Sequence, residues 1–204
     1  MARRFQGDTL VLASNNAGKL REIRSLLEPF GLRIHSSADF DLDEPEETED
    51  SFAGNARLKA HFAHKMTGLP ALSDDSGLEV DALNGAPGVY TADWAETGSG
   101  RDFGLAMEKV HEKLRAQDSK TPWSARFVCT LCLVEADGAD HLFRGEVAGQ
   151  LVWPRRGDRG FGYDPMFQAD GETQTFGEID PEYKARINHR ARAFAALKSD
   201  WFDG

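Results

Sequence analysis

Close to its start the chain sets an apolar run, Thr9-Leu10-Val11-Leu12-Ala13, directly before a small polar loop, Ser14-Asn15-Asn16-Ala17-Gly18. The stretch that follows has its apolar residues at Leu20, Ile23, Leu26 and Leu27. No other feature constrains the fold as much. A short apolar run without alternation reads as a buried strand, and three- and four-residue spacing reads as one face of a helix. Gly31 is placed to close that helix, and Leu32-Arg33-Ile34-His35 reads as a second short strand.

Further along, the residues from Asp39 to Asp50 are strongly acidic, and part of this stretch reads as a solvated loop. A helix is expected from Asp50 or Ser51 to about Met66, with Phe52, Ala56, Leu58, Ala60 and Phe62 as its apolar contacts. Pro70 to Val80 reads as strand, turn, strand. Residues 102–117 read as helix, and residues 124–136 and 141–149 as paired strands joined around Asp137-Gly138. A Gly-rich loop from Gly157 to Gly162 follows, and a last helix is expected from about Asn188 to Lys198. Strands and helices alternate first and strands pair later, which argues for an α/β fold with a mixed sheet. With no repeat, low-complexity linker or second boundary, residues 1–204 read as one domain.

Composition narrows the function. The 204 residues are 40% hydrophobic and 28% charged, ordinary for a soluble globular protein. A formal net charge of -10 argues against a general nucleic-acid binder, which needs clustered Lys and Arg. It leaves room for a small anionic ligand met by a local positive pocket or a divalent cation. No apolar stretch approaches the roughly 20 residues of a membrane helix. None of signal-peptide length follows Met1-Ala2-Arg3-Arg4, so the expected setting is cytoplasmic, with no membrane partner. Cys129 and Cys132 are the only cysteines and lie in a strand-like run. Three apart on a strand they face opposite ways, so they read as two small buried residues rather than a metal site or a disulfide.

Three segments carry chemistry. The first is the loop before the first helix. A helix start offers unpaired N–H groups and partial positive charge to a phosphate; Ser14 and Asn16 add donors, and Lys19 adds a point charge. The same loop also reads as an ordinary helix cap. The second is Asp74-Asp75-Ser76-Gly77. Two adjacent carboxylates need a cation or donor nearby, and with an acidic loop such as Glu46-Glu47 they suit Mg²⁺, which takes oxygen ligands and keeps waters. They also suit a surface turn with solvated acids. The third is Phe161-Gly162-Tyr163-Asp164-Pro165 with Lys184, His189 and Arg190. An aromatic there can stack on a base, and Lys, His or Arg donors match a six-keto purine while meeting adenine's amino group donor to donor. Core packing by Phe161 and Tyr163, with His189 and Arg190 on a solvated helix face, is the alternative.

Taken together, the chain resembles the inosine triphosphate pyrophosphatase family over nearly its whole length. The resemblance lies in Ser14-x-Asn16-x-x-Lys19, Glu46-Glu47-Thr48, Phe52-x-x-Asn55-Ala56-x-x-Lys59-Ala60 and Ser73-Asp74-Asp75-Ser76-Gly77-Leu78. It continues in Gly85-Ala86-Pro87-Gly88-Val89-Tyr90, Phe161 to Pro165 and Lys184-x-x-x-x-His189-Arg190. It implies a two-lobed α/β subunit, a mixed twisted sheet flanked by helices with the nucleotide in a cleft between lobes. It also implies a homodimer, Mg²⁺ dependence, and hydrolysis of non-standard purine nucleoside triphosphates to monophosphate and pyrophosphate.

The family's roles then fall on particular residues. Asp75 becomes general base or metal-associated acid, and Glu47, with Glu46 beside it, a metal ligand. Ser14, Asn15, Asn16, Ala17, Gly18 and Lys19 hold phosphates, Lys19 also offsetting charge during the reaction. Ser76, Phe161, Gly162, Tyr163, Asp164, Lys184, His189 and Arg190 hold the nucleotide. The chain departs from the family pattern at Asp93, where an Arg is common, at Gly54, where many members have Glu, and at Asn188, where Ser is usual. Two other readings stay open: a pyrophosphatase without this base preference, and a nucleotide sensor without turnover.

Overall fold

The computed structural model describes Phe5 and residues 7–202; Met1-Ala2-Arg3-Arg4 lie outside the described residues. The N-terminal pattern folds as read. Strand β1 (Thr9–Leu12) leads into helix α1 (Ala17–Leu27), and the chain returns as β2 (Arg33–Ser36), parallel to β1. A short 3-10 turn, Glu28–Phe30, extends α1, and Gly31 ends it in the left-handed region at φ 64. Helix α2 (Phe52–Thr67) then crosses to β3 (Ala71–Val80), which pairs parallel on the other side of β1.

A two-residue hairpin follows, β4 (Glu96–Thr97) with β5 (Gly100–Arg101), and then α3 (Phe103–Ala116). Strands β6 (Trp123–Val134), β7 (Asp140–Leu151) and β8 (Phe167–Ala169) complete the main sheet. Its order is β2-β1-β3-β6-β7-β8, and β8 runs antiparallel to β7, so the sheet is mixed. Helices α4 (Pro181–Ile187) and α5 (His189–Trp201) close the described chain. No helix among the described residues is long and apolar enough to cross a membrane.

The chain divides into two compact units, neither continuous in sequence. Residues 1–75, 129–145 and 190–204 form the first, and residues 76–128 and 146–189 the second. In the first unit β1 is buried on both faces. Leu10 and Leu12 join α1 and α5 through Ile23, Leu27, Phe194 and Leu197, while Val11 packs with Ala63 and Ala71. A continuous apolar run whose side chains face two ways in turn is what a strand covered on both sides requires. Cys129 and Cys132 divide in the same way, into separate clusters, both buried as free thiols. The second unit has its own core, built from Met107, Val110 and Leu114 of α3 with Phe127, Val147, Leu151, Phe167 and Phe176.

One local reading changes. Residues 71–80 form a single strand, not strand, turn, strand. Asp-Asp-Ser-Gly has turn composition, but here Ser73, Asp74 and Asp75 are buried and find partners brought by distant segments. The seven-residue helix α4 escaped the sequence reading; Asp180 caps it with bonds to Glu182 N and Tyr183 N, and Pro181 sits in its first turn, both ordinary start signals.

Candidate active site

Neighbouring residues on a strand point to opposite faces, and this separates the two adjacent acids of β3. Asp74 is in contact with α1, β6 and the first turn of α5. Its Oδ1 pairs with the Lys19 ammonium, and its Oδ2 accepts from Arg190 Nε at 3.0 Å and from the Cys129 thiol at 2.9 Å. Arg190, 1% exposed, also donates to Glu22 of α1 through a terminal nitrogen. Burial opposes the charge of Asp74, but the cations Arg190 and Lys19 hold its carboxyl well below the usual range. Burial likewise pushes the Cys129 thiol well up, so it stays protonated and donates.

Asp75 meets α2. Its Oδ1 accepts from Lys59 Nζ at 2.9 Å, and the same nitrogen donates to Glu47 Oε1 at 2.8 Å. Asp75 Oδ2 is buried with no hydrogen-bond partner among the described residues. Burial raises the Asp75 carboxyl above its ordinary value; Lys59 and Lys19 pull it down and Glu47 adds to the rise. Burial alone would discharge Lys59, yet Asp75 and Glu47 outweigh it and hold the ammonium charged. Lys59 is one turn beyond Asn55 on the core face of α2, and both are buried. Asn55 Oδ1 accepts from Glu49 N at 3.0 Å, tying the acidic segment to the helix. At Gly54 a Cβ would come within 2.6 Å of Glu49 Cβ, so the Glu49 side chain fills the space over that turn.

The phosphate-loop candidates are collected at the start of α1. Asn16 caps the helix, its Oδ1 accepting from Gly18 N at 3.0 Å and Lys19 N at 3.1 Å, and buried Ser14 accepts from Asn16 N at 3.1 Å. Asn15 and Ala17 are exposed, and Asn15 N donates to Glu44 Oε1 at 2.6 Å. Four loop N–H groups are thus already satisfied by side-chain oxygens, which a phosphate would have to replace.

The second unit holds the C-terminal segment. Asp164 and Lys184 are both buried; Lys184 Nζ reaches Asp164 Oδ2 at 2.6 Å and lies 4.7 Å from the centre of the Phe161 ring. Phe161 N donates to the same Oδ2 at 2.7 Å, and Gly162 turns the loop at φ 67. Tyr163 is 1% exposed, packed edge-on against Phe103 with its hydroxyl donating to Thr91 O. His189 stacks on Phe127, with centroids 4.9 Å apart. Asn188 closes α4 through its N–H to Lys184 O, and Ser76 is half-buried on β3. Asp93 starts a short 3-10 turn, Asp93–Ala95.

Within the first unit the structure brings together Lys19, Asp74 and Arg190, and, through Lys59, Asp75 and Glu47. Within the second it brings together Phe161, Asp164 and Lys184. Glu46 is exposed beside Glu47. Sequence reading assigned no task to Lys59, Cys129, Glu22 or Glu44. Two signals marked Lys59, its place in the Phe52-to-Ala60 motif and a polar residue on the apolar stripe of α2; the others act through contacts far apart in sequence. Among the described residues no three His, Cys, Asp or Glu side chains form a group that could hold a metal ion.

A model of the Ham1 family matches residues 10–200. The chain is similar to the dITP/XTP pyrophosphatase of Ruegeria pomeroyi, 56% identical over 204 residues and all of both chains. It is similar to that of Rhizobium meliloti, 56% identical over 203 residues, 94% of this chain and 95% of the relative. Among solved structures it resembles a HAM1 protein from Coxiella burnetii, with TM-score 0.85, 38% identity, and 93% and 95% of the two chains covered. The Staphylococcus aureus Ham1 protein gives TM-score 0.81, 34% identity, and 93% and 96%.

Proposed function

As the chain belongs to the Ham1 family, we propose that it hydrolyses non-standard purine nucleoside triphosphates, those of inosine, deoxyinosine and xanthosine, to the monophosphate and pyrophosphate. The observation that carries the chemistry is the buried, unpartnered Oδ2 of Asp75 beside a carboxylate held by the same lysine. The names of the relatives support the substrate class.

Mg²⁺ fits these residues. An orphaned buried carboxylate oxygen calls for a cation, and Asp75 with Glu47 supplies two hard oxygen donors, few enough to leave the remaining positions to water and phosphate. When bound, the ion would neutralise phosphate charge and favour an ionised water. The chain's own residues do the rest. Lys59 fixes the plane of Asp75 by holding Oδ1, leaving the two lone pairs of Oδ2 for the cation and for the proton of the attacking water. Lys19 and the start of α1 offset the charge of the phosphates, so the gain is mainly positioning and electrostatics.

In the second unit, the Phe161 ring offers a face to a base, and the Lys184 ammonium beside it suits a keto oxygen rather than an amino group. Arg190, shared by Asp74 and Glu22, has those carboxylates as its partners in the described structure, so base preference is assigned first to Lys184 and Phe161, with His189 beside Phe127. The proposal extends to a homodimer and a cytoplasmic setting, both resting on the family resemblance; light scattering checks the former.

The test is hydrolysis of inosine, xanthosine, guanosine and adenosine triphosphates with and without Mg²⁺, scoring pyrophosphate apart from phosphate. Mg²⁺-dependent pyrophosphate release, fast for the first two, is expected. Equal rates on all four would overturn the base assignment, and no turnover of any would point to a nucleotide sensor.

A further inference from the structure

The two acids of β3 differ in what surrounds them, and Asp74 has no part in the chemistry assigned to Asp75. Both of its oxygens are engaged: Oδ1 by Lys19, and Oδ2 by Arg190 Nε and the Cys129 thiol, which arrive from different elements at 3.0 and 2.9 Å. Two donors converging on one oxygen set the rotation of a carboxylate, and that rotation decides where the other oxygen points. Here it points at the first turn of α1, where Lys19 is the only charged side chain. Cys129 is fully buried. As a neutral donor it adds no charge to Lys19, Asp74, Arg190 and Glu22, two cations facing two anions.

We propose that Asp74 is a positioning residue, oriented by the Cys129 thiol, which fixes the Lys19 ammonium at the start of α1 for a polyphosphate and neither holds a metal ion nor moves a proton. This rests on the reading of that loop as a phosphate site. A lysine tied at one N–H keeps two others for phosphate oxygens and loses its freedom to swing into solvent. Cys129 thereby gains a role that its place in an apolar strand concealed.

Asp74→Asn would leave buried Arg190 and half-buried Lys19 facing a neutral amide and would threaten folding, so the test runs through Cys129. Cys129→Ala removes the donor without changing charge, and Cys129→Ser keeps a hydroxyl donor. Two readouts apply: affinity for inorganic tripolyphosphate by calorimetry, which needs no turnover, and kcat/KM for inosine triphosphate. Cys129→Ala is expected to weaken both about three- to tenfold, the net effect of one ordinary hydrogen bond, the thiol being a weak donor, with Cys129→Ser recovering most of the loss. In a Lys19→Met background the same Cys129→Ala change should cost nothing further. The proposal falls if Cys129→Ala matches the wild-type chain, if its loss persists without Lys19, or if Lys19→Met leaves tripolyphosphate affinity unchanged. Failure of the wild-type chain to release pyrophosphate from any triphosphate would instead remove the proposed reaction, leaving the tripolyphosphate arm to decide this one.

Discussion

Each unit buries a lysine–aspartate pair, Lys59 with Asp75 in the first and Lys184 with Asp164 in the second, at 2.9 and 2.6 Å. They differ in completion. Asp164 Oδ2 takes both the ammonium and the Phe161 N–H, and it lies so close to Gly160 that a Cβ there would strike it. Its pair is a clasp that shapes residues 160–164. Asp75 gives one oxygen to Lys59 and keeps the other without a partner among the described residues. A completed buried pair consolidates a loop; an incomplete one keeps an unmet demand for a donor or cation, costly to the fold and useful to a reaction.

That contrast can be broken from either side. Asp75→Asn should lower kcat on the order of 10³-fold, the scale of a lost general base, while leaving the urea midpoint unchanged or higher; a sensor would keep its nucleotide response. Lys184→Met should act on the fold as well as on base preference, costing about 3–5 kcal/mol in urea unfolding because it strands a buried carboxylate. Gly160→Ala should cost about 1–3 kcal/mol, since Gly160 sits at φ 76 and the new methyl meets Asp164. Asn16→Ala, outside both pairs, should cost only about 1 kcal/mol for its lost cap.

The pH dependence sharpens the comparison further. The folded chain binds a proton at Asp75 more tightly than an unfolded chain does, so the charged form is a burden at neutral pH. Without Mg²⁺, the stability advantage of Asp75→Asn should therefore be widest near neutrality. It should close as pH falls from the raised Asp75 value toward the ordinary aspartate value of 3.8. An advantage independent of pH would mean that Asp75 is not the raised group.

The sequence was most legible where structure is local. The run from Thr9 to Leu27 yielded strand, cap and helix because neighbouring residues satisfy one another. Opposite facing of Cys129 and Cys132 followed from strand geometry alone. Asp74-Asp75-Ser76-Gly77 misled because turn composition was visible while the partners that let a strand continue there, Lys19, Lys59, Cys129 and Arg190, were scattered from residue 19 to residue 190. Tyr163 and Phe161 looked equally aromatic in sequence; only packing separates a core ring from a half-buried one. The motif order carried the family resemblance, but not the assignment of opposite duties to adjacent acids.

The discontinuity of the units has a consequence for synthesis. During translation the second unit has all its residues once residue 189 has emerged, whereas the first still awaits residues 190 onward. Until then Leu10, Leu12 and Ile23 lack the cover of Phe194 and Leu197, and Asp74 lacks one of its two cations. Strand β1, the first among the described residues, is therefore among the last to be finished, and chains ending at residue 189, tethered to the ribosome by a linker long enough to clear the exit tunnel, should be digested by protease in residues 9–75 while residues 76–128 and 146–189 resist.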